Sequence, residues 1–166
     1  MKMIREATKL DIDWMVKLSH QKRLAYSKEQ PNFWKMAENS DEVQQKYFEK
    51  ELKNDNVIAL IYEEKQGFII GKLVTPPEVY DAGLTLMIDD FCISGDLWMT
   101  IGKELLDECQ NRAKNMGAKN KVRQILAVCG DHYMQKFLLL KEPLKILIFR
   151  GAHNCINKKF KEKNEF

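Results

Sequence analysis

Three consecutive segments decide how this chain is read: Asp89-Asp90-Phe91-Cys92-Ile93, the break Ser94-Gly95-Asp96, and Trp98-Met99-Thr100-Ile101-Gly102-Lys103-Glu104-Leu105-Leu106. The first closes an apolar run from Leu84 to Ile93 that predicts a strand. After the break, apolar residues recur every three or four positions: Trp98, Ile101, Leu105, Cys109, Ala113 and Met116. That spacing puts them on one face of a helix. Gly117 stands where a helix-ending glycine is expected. A strand that turns through a tight break into a helix start presents unpaired amides and a partial positive charge, an arrangement suited to an anion.

The segments upstream predict a compatible set of elements. Ile4 to Ala7 reads as a short strand, and Thr8 with Asp11 forms a T-x-x-D capping box. A helix follows with Ile12, Met15, Val16 and Ser19 on one face, fading near Ser27. Pro31 keeps it from continuing. A second helix is expected from Asn39-Ser40-Asp41 to about Leu52. Asn54-Asp55-Asn56 signals a turn, and Val57 to Tyr62 reads as a buried strand. Glu63 to Gln66 turns the chain into a returning strand, Gly67 to Val74, which Pro76-Pro77 ends.

Downstream, Gln124 to Cys129 reads as a strand, and Asp131 as the cap of a helix running to about Leu140. Lys145 to Phe149 reads as a last strand. The order β-α-α-β-β-β-α-β-α-β predicts an α/β (α+β) fold, a mixed sheet with helices on both faces. Residues 1–155 are expected to form one domain and residues 156–166 a charged, frayed tail.

Composition narrows the function classes. A chain of 166 residues with 45% hydrophobic and 31% charged residues suits one globular domain with its own core. The net charge of +3 is too small an excess to predict nucleic-acid binding. The longest apolar run, Val57 to Tyr62, falls far short of the ~20 residues that span a bilayer. Cys92, Cys109, Cys129 and Cys155 form no CxxC pair, and His20, His132 and His153 are scattered, so no metal site is expected. Reduced thiols and a start, Met1-Lys2-Met3-Ile4-Arg5-Glu6, without an apolar leader predict a cytoplasmic protein.

Over roughly residues 3–150 the element order resembles the GNAT superfamily, the acetyl-CoA-dependent N-acetyltransferases. Asp89-Asp90-Phe91-Cys92-Ile93 is similar to a Glu-Asp-Phe-Phe-Val stretch of polyamine-type members. The family's R/Q-x-x-G-x-G/A loop aligns its basic position on Leu97, its first glycine on Thr100 and its second on Gly102. Only Gly102 is kept; Trp98-Met99-Thr100-Ile101-Gly102 looks like a divergent branch with Trp-x-Thr-x-Gly. Thr100 disfavours positive φ, so the loop either holds it in a permitted region or changes shape. Its hydroxyl then either donates to a phosphate oxygen or caps the helix.

The resemblance implies a mostly antiparallel sheet and a function: direct transfer of acetyl from acetyl-CoA to a primary amine. The implied acceptor is a small amine or a peptide amine, and the protein a monomer or homodimer with no nucleic-acid or membrane partner. The pyrophosphate would lie over the amides from Met99 to Lys103. Cys92, Ile93, Trp98, Met99, Thr100, Ile101, Gly102, Lys103, His132 and Lys136 are the implied cofactor contacts. Asp89 falls on the family's glutamate, and Asp89 or Asp90 would serve as base. Neighbours on a regular strand face opposite ways, so the two are not expected to share that work. The oxyanion would meet a backbone amide near Cys92 or Ile93, and Cys92 is not expected to act as a nucleophile.

The family's tyrosine acid aligns with Leu138, which leaves Tyr133, or His132, as proton donor to the leaving thiolate. Tyr26, Phe33, Trp34, Tyr80 and Asp81 fall on the implied acceptor side, either as a cage for a cation or as loop anchors. The incomplete loop and the displaced tyrosine also fit a catalytically weak CoA-binding or regulatory module.

Overall fold

In a computed structural model, which describes residues 3–79 and 83–122, strand β1 (Ile4–Glu6) passes through a short 3-10 turn into helix α1 (Ile12–Glu29). Helix α2 (Ser40–Glu51), strands β2 (Val57–Tyr62), β3 (Gly67–Val74) and β4 (Thr85–Ile93), helix α3 (Ile101–Asn115) and strand β5 (Asn120–Val122) follow. The strands lie side by side in chain order. The first three pairings are antiparallel, and β4 with β5 is parallel. This is the expected mixed, mostly antiparallel sheet.

One boundary is corrected. The fifth strand pairs from Asn120, upstream of the expected start at Gln124. Gly117, at φ 92°, turns the chain off α3, and the Lys119 amide already bonds the Leu84 carbonyl at 2.9 Å. Pairing with β4 therefore begins as soon as the helix has ended. The expected helix after Asp131, the last strand and the tail lie outside the described residues.

Strand alternation builds two cores. In β2, Ile58, Leu60 and Tyr62 face α3, where Leu105, Leu106, Cys109 and Ala113 meet them. Ala59 and Ile61 face Met15 and Leu18 of α1 and Phe48 of α2. Gly71 allows close approach on the α3 side: a Cβ there would stand 2.8 Å from both the Cys109 Sγ and a Leu86 methyl.

The turn into α1 is held by charge as well as by capping. The Asp11 carboxylate accepts the Thr8 amide and hydroxyl, both at 2.8 Å, and two Arg5 guanidinium bonds at 2.9 and 2.8 Å. Asp11 is only 2% exposed. The Arg5 bonds, opposed by burial and helped by Thr8, bring its pKa down from 3.8 to about 2. A lowered carboxylate pKa stabilises the fold above the unfolded value and loses that effect as pH falls through the folded one. We expect about 2 kcal/mol of stability to disappear between about pH 4 and pH 2. Urea unfolding of Asp11→Asn at pH 7 and pH 2.5 checks it: the gap to the parent protein should close at the lower pH.

In β4 the alternation changes step. Leu86 and Ile88 face α3; so do Phe91 and Ile93, while Cys92 faces α1 and α2. Even positions give way to odd ones on the same face, so one residue has been inserted. The register locates it: Gly71 pairs with Ile88 and Ile70 with Asp90, leaving Asp89 as the extra residue of a β-bulge.

Candidate active site

The bulge corrects the expectation that Asp89 and Asp90 point apart. Both carboxylates lie on the α1/α2 face of the sheet. The Asp89 Oδ2 accepts the Tyr47 hydroxyl from α2 and lies 2.9 Å from the Lys72 ammonium of β3. The Asp90 Oδ1 lies 2.5 Å from the Lys22 ammonium of α1. Lys22 Nζ also stands 3.5 Å from the Phe91 carbonyl.

These contacts set the local electrostatics. Burial works against the Lys22 charge, but Asp90 beside it outweighs that and raises its pKa. Burial, then the bond to Asp89, raises the Tyr47 hydroxyl, so it remains a donor. Cys92 is 2% exposed, with its Sγ 3.7 Å from Asp90 Oδ1 and 3.8 Å from Ser19 Oγ. Burial and the Asp90 charge push its pKa up to about 12. It is a thiol at neutral pH.

The backbone at the end of β4 has a direction. The Ser94 amide bonds the Gln66 carbonyl at 2.8 Å, and Cys92 stands opposite Phe68. Antiparallel pairs alternate between bonded and non-bonded, so Cys92 exchanges bonds with Phe68 while the Ile93 amide turns away from β3. It faces the edge of β4 that carries the parallel strand β5.

Gly95, at φ 60°, opens the turn that follows, and a 3-10 turn, Leu97–Met99, leads to α3. Thr100 keeps a negative φ of −106°, which answers the conformational question its sequence raised. Its hydroxyl bonds the Leu97 carbonyl at 3.2 Å and does not cap the helix. The Glu104 amide closes the first helical bond onto Thr100, so the amides of Ile101, Gly102 and Lys103 precede the ladder.

The expected loop contacts divide by side chain. Met99, Thr100 and Lys103 are exposed, and Lys103 lies 3.7 Å from Asp107. Ile93, Trp98 and Ile101 are buried in the core, with the Trp98 ring edge-to-face on Phe91 at 5.0 Å. A Cβ on Gly102 would meet Trp98 at 3.4 Å and Ile93 at 3.5 Å. These are ordinary van der Waals distances, so packing on the inner side does not by itself require a glycine here.

Tyr26, Phe33 and Trp34 do come together: ring centroids are 6.0 Å apart for Tyr26 and Trp34, and 4.8 Å for Phe33 and Trp34. Tyr80, Asp81, His132, Tyr133 and Lys136 lie outside the described residues. Sequence reading missed Lys22, Tyr47, Glu51 and Lys72. Lys72 alone carried a signal, as a charge inside an otherwise apolar strand. Among the described residues no group of three potential metal ligands occurs, and no helix is long and apolar enough to cross a membrane.

No family model and no curated relative matches the sequence. Solved structures do match the fold. A mutant form of the BH1408 protein from Bacillus halodurans aligns with a TM-score of 0.71 at 17% identity, over 88% of this chain and 96% of that one. A protein from Clostridium acetobutylicum described as a predicted acetyltransferase, solved with acetyl-CoA, aligns at 0.63 and 16%, over 91% and 96%. The aminoglycoside N-acetyltransferase AAC(6')-Iy in complex with CoA aligns at 0.61 and 15%, over 88% and 96%. The fold is that of the GNAT acetyltransferases.

Proposed function

We propose that this chain is an acetyltransferase that moves the acetyl group of acetyl-CoA to a primary amine. The observation that carries the reading is the β4 bulge, which sets two carboxylates on one face of the strand leading into α3. The amides of Ile101, Gly102 and Lys103 fit a pyrophosphate by direction and partial charge. Of the two carboxylates, Asp89 is the base. Its side chain is 24% exposed against 13% for Asp90, and both of its bonds fall on Oδ2.

In this scheme Asp89 takes a proton from the attacking ammonium, directly or through water. The amine nitrogen forms its bond to the thioester carbonyl carbon. The Ile93 amide donates to the oxygen as it becomes negative. Collapse breaks the carbon–sulfur bond as the nitrogen gives up its second surplus proton to water, and it releases the CoA thiolate, protonated by water or by Tyr133, with His132 as the other donor on that stretch. Tyr26, Phe33 and Trp34 border the amine.

A second reading, a CoA-binding module without turnover, draws on one observation: each carboxylate already meets a lysine. Purification with acetyl-CoA, then mass spectrometry before and after amine addition, separates the two. A ligand that binds only the native state raises stability by about 2.7 kcal/mol at 100 times its Kd. Millimolar acetyl-CoA is therefore expected to raise the melting temperature by several degrees. An unchanged melting temperature would sink both readings. A panel of amines, read by release of free thiol, identifies the acceptor.

A further inference from the structure

Glu51 is in an unfavourable place. It is the last residue of α2, where the helix end already carries partial negative charge, and it is 5% exposed. Its Oε2 is buried without a hydrogen bond. Desolvated and poorly bonded, such a carboxylate needs a compensating charge nearby. That charge is Lys72, whose Nζ lies 3.3 Å from Glu51 Oε2 and 2.9 Å from Asp89 Oδ2. The same ammonium stands 5.0 Å from the centre of the Tyr47 ring, and the Tyr47 hydroxyl donates to the same Asp89 oxygen.

We propose that Glu51, Lys72 and Tyr47 are positioning residues for Asp89: they clamp Oδ2, leave Oδ1 for the reacting amine, and divide the Lys72 charge between two carboxylates. The proposal rests on the role given to Asp89 above. A lysine devoted to Asp89 would oppose its taking a proton. Shared with Glu51, the same lysine opposes it less while still fixing the carboxylate in place. Among the described residues the charged and titratable groups around Asp89 are Tyr47 and Glu51 from α2, Lys72 from β3, Asp90 from β4, and Lys22 from α1 and the Cys92 thiol, which both sit on Asp90. Burial lowers the Lys72 pKa, and Asp89 and Glu51 together outweigh it and raise it.

Two measurements test this. The first needs no substrate: amine labelling at pH 9, read lysine by lysine by mass spectrometry. Glu51→Gln should increase the labelling rate of Lys72 about tenfold, the effect of about one pKa unit on its neutral fraction. Lys103, on α3, should label as before. An unchanged Lys72 rate overturns the shared ammonium. The second is the pH profile of acetyl transfer. Glu51→Gln leaves the whole Lys72 charge to Asp89, so the acid limb should move to lower pH. Lys72→Met removes that charge, so the limb should move to higher pH, and Lys72→Arg should restore it. Should Lys72→Met not fold, Tyr47→Phe takes its place, also with an upward shift, because it removes a donor from the same oxygen. A loss of rate equal at every pH, or two shifts of the same sign, overturns the positioning role. If the parent protein acetylates no amine at any pH, the proposed function fails, and the labelling experiment still judges the shared ammonium by itself.

Discussion

Asp89→Asn is expected to lower acetyl transfer about 10²-fold, within the usual range for removal of a general base. The amide keeps the size of the carboxylate but cannot accept the proton at neutral pH. Lys72 keeps Glu51 as a partner, at 3.3 Å, so the fold should change little. Binding of acetyl-CoA should persist, since the amides proposed to hold its pyrophosphate start α3 rather than β4. The deficit should shrink as pH rises, because more of the amine is then already neutral. Steady-state kinetics between pH 6 and 10 check the loss of rate, the binding of acetyl-CoA and the pH dependence, and urea unfolding checks the fold. Full activity in the variant with every accepted amine would make Asp89 structural. Asp90→Asn should behave oppositely: it leaves Lys22 without its carboxylate, so stability should fall more than turnover.

Phe68→Ala is expected to cost about 3–5 kcal/mol of stability, the largest effect of any substitution considered. Phe68 is 0% exposed in the middle of the sheet. Its ring meets Phe48 of α2 edge-on at 5.6 Å and Trp14 of α1 at 6.1 Å. Removing it opens a void where both helices rest on β3, and the three backbones cannot all close in. The melting temperature should fall by roughly 10 °C. Urea unfolding with an unchanged slope would confirm that the loss is one of packing. Phe33→Ala, at a site 62% exposed, is the control and should stay within about 0.5 kcal/mol. A loss below about 1 kcal/mol for Phe68→Ala would mean that the two helices are not held through this ring.

As far as α3 the sequence by itself determined the elements, because each depends on near neighbours. The three-and-four spacing that starts at Trp98 made α3 readable: Ile101, Leu105, Cys109 and Ala113 are buried, as are Leu106 and Gln110 beside them, while Met116, just past the helix end, is exposed. Asp11 showed its cap, because its partner Thr8 is three residues away. The paired acids Asp89 and Asp90 also stood out, since charge ending an apolar strand is a local signal.

What those acids face was settled only in the tertiary structure. A bulge is a property of two strands: it exists because Gly71 pairs with Ile88 while Ile70 pairs with Asp90, across a hairpin that no local pattern specifies. Without it, alternation would have sent one carboxylate toward α3. The clamp on Asp89 is more distant still, drawing Tyr47 and Glu51 from α2 and Lys72 from β3. Tyr47 and Glu51 read in sequence as ordinary residues of their helix, and Lys72 only as a charge inside an apolar strand, with nothing to say what it faces. They meet because packing α2 on the sheet fixes where the ends of long side chains can reach, and that is decided by the shape of the whole core rather than by any segment of the chain.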